Sequence, residues 1–134
     1  MKKTIRAGIV GSGFSASFHV EAIKKVCGVD IAITGVYSLT KGKREAFAQK
    51  RRIRVFDQLE PLLEQSDVVH VCTPPSVHEQ VAVAVLHRDK FAIVEKPLTG
   101  YFGDGSEQFH GDRFPKQIAL DRSLESIQRM LEAE

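Results

Sequence analysis

Short apolar segments alternate with segments of helical periodicity along most of this chain, and this alternation constrains the fold more than any other feature. Five segments are apolar or β-branched and have the length of strands: residues 5–10, 31–37, 53–56, 68–72 and 91–94. Their apolar character is nearly continuous, as expected for strands buried on both faces of a parallel sheet. Strands that alternate with helices form right-handed crossovers. The sequence therefore predicts an α/β fold, a doubly wound parallel sheet with helices on both faces.

The segments between these strands carry helix signals. The first has an apolar stripe at helical spacing, made by Ala16, Val20, Ile23 and Cys27. Asp57, with Glu60 three residues later, is predicted to cap a helix rich in leucine. Ser76 and Glu79 have the S-x-x-E pattern of a capping box, which predicts a helix that ends near residue 87.

The pattern changes after the fifth strand. Glycines and aromatic residues crowd the stretch 101–120, which predicts a long irregular loop. A last helix is predicted from Asp121, with Leu124, Ile127 and Leu131 on one side. The chain thus divides into a dinucleotide-binding domain at 1–100, an insertion loop at 101–120 and a terminal helix at 121–134.

Composition and charge restrict the function classes. The 134 residues suffice for one domain, and 19 Lys and Arg against 17 Asp and Glu give a net charge of +2. Nucleic-acid binders are usually more basic, so no nucleic acid is expected as a partner. No apolar run approaches the ~20 residues of a membrane span, and the N-terminus lacks the apolar region of a signal peptide. We expect a cytoplasmic protein without a membrane partner, in which Cys27 and Cys72 are buried, reduced thiols.

A glycine-rich turn lies between the first strand and the first helix. Residues 11–16, Gly-Ser-Gly-Phe-Ser-Ala, match the pattern G-x-G-x-x-G/A. Gly11 permits the tight turn, Gly13 lets the backbone approach a diphosphate, and Ala16 keeps helix and strand close. The N–H groups at the helix start would then face the phosphate charge. The pattern indicates a dinucleotide site of the Rossmann type, and a tight turn that binds nothing is the alternative.

The end of the second strand bears on which dinucleotide binds. An acidic residue there usually holds the adenosine ribose hydroxyls, but this chain has Ser38 at that place. Lys43 and Arg44 follow, and either one could pair with a 2′-phosphate in the absence of a repelling carboxylate. The sequence therefore favours NADP slightly over NAD. A solvated basic helix face is the alternative, above all for residues 50–54.

Two further motifs end strands at the same edge of the predicted sheet. Residues 72–78, Cys-Thr-Pro-Pro-Ser-Val-His, end the fourth strand, and Glu95-Lys96-Pro97 follows the fifth. Ligands in open parallel sheets bind beyond the carboxyl ends of the strands. Lys96 is thereby placed as a hydrogen-bond donor or proton relay, although such a motif in isolation is usually only a polar strand exit.

The other polar residues give no competing site. His19 and His70 are expected to be packed or hydrogen-bonded inside the fold. Asp104, His110 and Asp112 lack the spacing of a metal site, so no metal is predicted.

Together, the three motifs resemble the family of glucose–fructose oxidoreductases and inositol dehydrogenases (the Gfo/Idh/MocA family). The matching segments are residues 8–14 with His19, residues 73–78 and residues 94–98, and the resemblance covers about residues 3–100. It implies a Rossmann domain with strand order 3-2-1-4-5 that carries NAD(P). It also implies hydride transfer between the nicotinamide and a carbon of a sugar or polyol. The cofactor does the hydride chemistry, while the protein orients and polarises.

The resemblance implies a role for each matching residue. The diphosphate would be lined by Gly11, Gly13, Phe14 and Ser15, and Ser38 would stand at the ribose-selecting position. The ribose and nicotinamide would be bordered by Thr73, Pro74, Ser76 and His78. Glu95 and Lys96 would face the nicotinamide, with Lys96 as the catalytic residue that holds the reacting hydroxyl. The Lys96–Pro97 bond would be cis.

Family members are much longer than this chain. Their second half is an α/β domain that supplies the substrate pocket and most of the oligomer interface, and this sequence contains no counterpart to it. The chain alone is therefore expected to bind cofactor without full activity. Two alternatives stay open: a non-catalytic NAD(P)-binding regulatory module, and a chain that forms a homo-oligomer through the open edge of its sheet.

Overall fold

The computed structural model, which describes residues 4–134, contains a sheet of four parallel strands flanked by helices. The strands are β1 (Thr4–Val10), β2 (Asp30–Tyr37), β3 (Val68–Val71) and β4 (Phe91–Val94), in the spatial order β2-β1-β3-β4. The helices are α1 (Phe14–Ile23), α2 (Lys41–Arg51), α3 (Leu59–Glu64), α4 (His78–Leu86) and α5 (Lys116–Glu132). The predicted α/β architecture with a doubly wound parallel sheet is confirmed.

The sheet is buried on both faces because its central strands are apolar on both sides. On one face Ile9 packs with Val20 of α1 and Phe47 of α2. On the other face, Leu62 of α3 and Val85 of α4 belong to a second apolar cluster. Fully burying one such aliphatic side chain contributes about 1.5–3 kcal/mol. The two cores fix the helices on the sheet, and all four strands end at one edge.

The third predicted strand is reduced to a single bridge between Val36 and Val55. The backbone N–H of Ile53 bonds instead to the carbonyl of Ala48 near the end of α2, at 3.1 Å. Only the carbonyl of Arg54 and one N–H beyond it therefore reach β2. The segment lies beside β2 as predicted, but the sheet has four strands instead of five.

The cap predicted at Asp57 is wrong. Helix α3 begins after Gln58, without a side-chain cap. The carboxylate of Asp57 instead accepts a hydrogen bond from Arg44 of α2 at 2.6 Å. In this hydrogen bond both partners are charged, whereas a cap would join the carboxylate to a neutral backbone N–H.

The capping box predicted at Ser76 is also wrong. Ser76 lies in a 3₁₀ turn, Pro75–Val77, and α4 begins only at His78, without a side-chain cap. The carboxylate of Glu79 instead accepts hydrogen bonds from the guanidinium of Arg129 of α5. The helix itself forms where the sequence predicts it, because its apolar side packs on the sheet.

The two cysteines differ in environment. Helix α1 ends at Ile23, so Cys27 lies beyond it and is exposed, and the prediction that it is buried is wrong. Cys72 follows β3 and is buried, as predicted.

The stretch before α5 is irregular, but it is shorter than predicted. Helix α5 begins at Lys116 rather than at Asp121. Within the loop, Tyr101, Phe109 and Phe114 pack on one another, with ring centroids 4.9 to 5.5 Å apart. No helix within residues 4–134 has both the length and the apolar character needed to cross a membrane.

Candidate functional site

The turn from β1 into α1 requires glycine at position 11. Gly11 has φ +114°, and its N–H donates to the carbonyl of Tyr37 at 2.8 Å. A Cβ at this position would lie 2.4 Å from the carbonyl oxygen of Cys72. Because residues with a side chain rarely adopt such a φ, only glycine allows the turn to pass this close to β2 and β3.

Gly13 differs, because no heavy atom of another segment lies within 4 Å of the place its Cβ would take. Gly13 precedes the first turn of α1, and no side chain caps that helix. The N–H groups of this turn therefore have no side-chain cap, and they carry the positive end of the helix dipole. An open helix N-terminus without a covering Cβ suits an anion such as a diphosphate.

A first cavity, of about 380 Å³, lies beside this turn on the side of α3 and α4. The ends of three strands line it, with Gly11, Ser12, Gly13, Tyr37, Ser38, Thr73 and Pro74. The hydroxyl of Thr73 is buried and has no hydrogen-bond partner within residues 4–134. Buried polar groups are normally satisfied, so this hydroxyl is an exception among the residues that line the cavity. Burial raises the pKa of the Cys72 thiol to about 11, which keeps it neutral and unreactive.

The two cations predicted for this site have different surroundings. Arg44 is buried, and its guanidinium donates to the carbonyl of Ser38 at 3.0 Å and to the carboxylate of Asp57 at 2.6 Å. It does not line the first cavity, whereas Lys43 does and is exposed. Of the two, Lys43 is therefore the cation that lines the cavity.

A second cavity, of about 600 Å³, lies on the other side of the same turn, along α1. Its wall includes Phe14, Ser15, Phe18, His19, Glu95 and Lys96. The first cavity is lined by residues 11–13 of the turn and the second by residues 14–15. The N-terminus of α1 consequently lies between the two cavities.

A chain of hydrogen bonds runs along the floor of the second cavity. Nε2 of His19 donates to Oε1 of Glu95 at 2.8 Å, and this bond holds the pKa of the Glu95 carboxyl below its ordinary value. Nδ1 of His19 lies 2.8 Å from Nδ1 of His70, so one of these nitrogens donates to the other. Burial lowers the pKa of His70 to about 4, and the nearby His19 adds to this effect. Lys96, next to Glu95, is exposed.

His78 joins the loops that follow β3 and β4. Its ring is fully buried, with Nδ1 lying 3.0 Å from the carbonyl oxygen of Pro97 and Nε2 lying 2.9 Å from that of Thr73. It lines neither cavity, so it holds the two loops together rather than facing a ligand. The Lys96–Pro97 bond is cis, as expected from the resemblance.

The structure brings most of the predicted residues to this edge of the sheet. Among the exposed residues that were predicted to bind cofactor, Ser76 is the exception. It lies in a separate groove between α4 and α5. Ser12 and Gln80 line the first cavity but were not singled out from the sequence. The position of Ser12 between two glycines is a usable signal, whereas Gln80 is brought there only by the packing of α4. No group of side chains within residues 4–134 could hold a metal ion.

Comparison with known proteins decides the family. The model of an oxidoreductase family with an NAD-binding Rossmann fold matches residues 5–110. The chain belongs to this Gfo/Idh/MocA oxidoreductase family. The interpretation drawn from the three motifs is thereby confirmed.

Relatives in this family act on sugars and polyols. UDP-N-acetylglucosamine 3-dehydrogenase of Acidithiobacillus ferrooxidans is 27% identical over 95 residues, which cover 71% of this chain and 29% of the relative. Inositol 2-dehydrogenase of Salmonella typhimurium is 32% identical over 100 residues, with the same two coverages of 71% and 29%. The WlbA dehydrogenase of Bordetella pertussis, solved with NADH and UDP-GlcNAcA, superimposes with a TM-score of 0.73 at 21% identity. That match covers 99% of this chain and 34% of WlbA, and it shows the fold.

The chain spans less than a third of the length of these curated relatives, 29% in each case. The match falls on the Rossmann part of the family, which is the part described above. The chain is therefore an NAD-binding oxidoreductase domain related to sugar and polyol dehydrogenases.

Proposed function

We propose that this domain is the nucleotide-binding part of an NAD(P)-dependent oxidoreductase that acts on CH–OH groups of a sugar or polyol. One observation carries the proposal: two cavities flank the open N-terminus of α1, where Gly13 leaves room for a diphosphate. A dinucleotide has one nucleoside on each side of its diphosphate, and this site has one cavity on each side of a diphosphate-binding turn. The residues present therefore fit the cofactor of the family.

Each part of the dinucleotide would have its own place. The first-turn N–H groups of α1, at Phe14 and Ser15, would donate to the diphosphate. The adenosine end would lie in the first cavity beside Ser38, and the nicotinamide end in the second cavity beside Glu95 and Lys96. The bound cofactor supplies the hydride chemistry.

Lys96 is the catalytic residue of this proposal. Its amino group would hold the reacting hydroxyl of the substrate and assist the transfer of the hydroxyl proton. Because the carboxylate of Glu95 is engaged by His19, the amino group of Lys96 is left available to substrate. The proposal of a sugar or polyol substrate rests on the relatives, which include a UDP-N-acetylglucosamine 3-dehydrogenase and an inositol 2-dehydrogenase.

The dinucleotide site is tested by titrating the purified chain with NADH and NADPH and following nicotinamide fluorescence. Gly13→Val adds a side chain where no heavy atom of another segment lies within 4 Å, so the fold is expected to persist. The side chain would occupy the place of the diphosphate and weaken binding by ~10-fold or more, about 1.4 kcal/mol.

The matched control is Gly42→Val. Gly42 lies in the first turn of α2, also has no heavy atom of another segment within 4 Å of its Cβ position, and lines neither cavity. This variant should bind like the wild type. Equal affinity of Gly13→Val and the wild type would contradict the placement of the diphosphate.

A preference for NADP over NAD is the finer part of the proposal. Ser38 brings no carboxylate to repel a 2′-phosphate, and Lys43 lines the first cavity as its cation. We expect NADPH to bind more tightly than NADH, and Lys43→Gln to reduce the ratio of the two affinities by about threefold to tenfold. The same titration measures both ratios, and tighter binding of NADH by the wild type would contradict this preference.

A non-catalytic NAD(P)-binding module is the second candidate. In this case Lys96 would have no chemical role, although the dinucleotide would bind in the same place.

A further inference from the structure

The carboxyl end of β2 is held from two sides. The hydroxyls of Ser38 and Ser12 are hydrogen-bonded at 2.9 Å, which ties this end to the turn before α1. The carbonyl oxygen of Ser38 accepts a hydrogen bond from Nη1 of Arg44 at 3.0 Å. The residue at the ribose-selecting place is therefore fixed through both its side chain and its backbone.

Arg44 makes its contact from inside the fold. Only 9% of its side chain is exposed, and its Nη2 donates at 2.6 Å to Asp57, which is 80% exposed. The guanidinium thus joins three segments: the end of β2, the start of α2 and the segment before α3. A planar guanidinium reaches two acceptors in a fixed geometry, which an ammonium on a flexible stem does not.

This arrangement carries a cost. Nε of Arg44 is buried and lacks a hydrogen-bond partner among the described residues. Burying a donor without a partner is unfavourable. Arg51 of α2 shares this feature, so what distinguishes Arg44 is its hydrogen bond to the carbonyl oxygen of Ser38 at the edge of the first cavity.

We propose that Arg44 is a positioning residue for the adenosine ribose of the bound dinucleotide, an inference that rests on the proposed function. Arg44 holds Ser38 against Ser12, so that the ribose-selecting residue and the diphosphate turn keep one relative geometry. Its guanidinium is occupied in this way, so it acts through Ser38 and does not touch the nucleotide. Lys43 is left as the cation that faces the first cavity.

Arg44→Lys tests this role because the variant keeps the positive charge but cannot hydrogen-bond to both acceptors in the fixed geometry of a guanidinium. Arg88→Lys is the matched control. Arg88 follows α4 and is also partly buried, but it donates to the carbonyl of Ala84 at 2.8 Å and lines neither cavity. Affinities for NADH and NADPH are measured by fluorescence and the affinity for AMP by calorimetry, each on variants shown to be folded by circular dichroism.

The expected result is a loss of about tenfold in affinity for all three nucleotides in Arg44→Lys and less than about twofold in Arg88→Lys. Two results overturn the role of Arg44. One is an affinity of Arg44→Lys within about twofold of the wild type. The other is an equal loss in both variants, which indicates a general effect on packing.

A second variant keeps the test decisive if Arg44→Lys does not fold. Asp57→Asn removes the charge of the exposed acceptor and leaves the arginine in place. It is expected to weaken AMP binding by about threefold, and unchanged binding overturns the role of Arg44. A wild-type chain that binds neither NADH nor NADPH contradicts the proposed function itself, so the two failures are distinguishable.

Discussion

At the scale of single residues, the contact between His19 and His70 depends on how many protons the pair holds. Their Nδ1 atoms are 2.8 Å apart, and such a bond forms only when one of the two nitrogens carries a proton. Since Nε2 of His19 donates to Glu95, a neutral His19 leaves its Nδ1 as the acceptor, and His70 is then the donor. The lowered pKa of His70, about 4, is consistent with a neutral ring that donates from Nδ1.

This pair makes the stability of the domain depend on pH. In the unfolded chain His70 titrates near its ordinary value of 6.5, whereas in the folded chain its pKa is about 4. Between these values the unfolded chain binds the extra proton. The free energy of unfolding is therefore highest above pH 6.5 and falls as the pH drops toward 4, by roughly 3 kcal/mol at most.

His70→Asn should remove this part of the pH dependence. Urea unfolding between pH 7 and pH 4 is compared for the wild type, His70→Asn and the exposed-residue control His87→Asn. We expect the control to keep the decrease seen in the wild type and His70→Asn to show a smaller one. The same decrease in all three proteins would mean that other groups cause the pH dependence.

At the scale of elements, local sequence patterns predict the strands and helices better than they predict what ends them. The apolar run of β1 followed by Gly11 is enough to place the first turn, because the left-handed φ is a local requirement. The cap at Asp57 could not be predicted correctly, since its carboxylate bonds to Arg44, 13 residues away. Residues 53–56 likewise look like a strand, and they fail to become one because the end of α2 takes one of their N–H groups.

The same distinction holds for the candidate site. Residues that directly follow a strand, such as Gly13, Thr73 and Lys96, are brought to one sheet edge by topology alone, which the alternating pattern predicts. The hydrogen bonds of the Arg44 guanidinium depend on how α2 packs against the segment before α3. No pattern in the sequence specifies the distance between these two segments. The full burial of His78 between two loop carbonyls is of the same kind.

At the scale of the whole molecule, several large apolar side chains are exposed to solvent. Phe91 and Ile93 of the edge strand β4 are 77% and 45% exposed, and Leu124 and Leu131 of α5 are 53% and 59% exposed. The second cavity, where Lys96 lies, is open to solvent along α1. A substrate placed there would meet few groups that fix its orientation, and orientation of the reactants accounts for a large part of enzymatic rate.

We therefore expect this domain to bind NAD(P)H and to oxidise or reduce sugars and polyols far below the common enzymatic range of about 1–10³ s⁻¹. The change in nicotinamide absorbance over a panel of polyols and ketoses measures the rate, and a value inside that range would show that the domain needs no further substrate-binding part. Lys96→Ala then separates the two candidate functions. If the residual hydride transfer disappears while the affinity for cofactor is retained, Lys96 acts on substrate and the domain belongs to an enzyme. If the transfer is unchanged, Lys96 has no chemical role in it. If neither protein transfers hydride faster than a protein-free control while both bind cofactor, the non-catalytic module is the better account of a site whose affinity resides in the turn at Gly13.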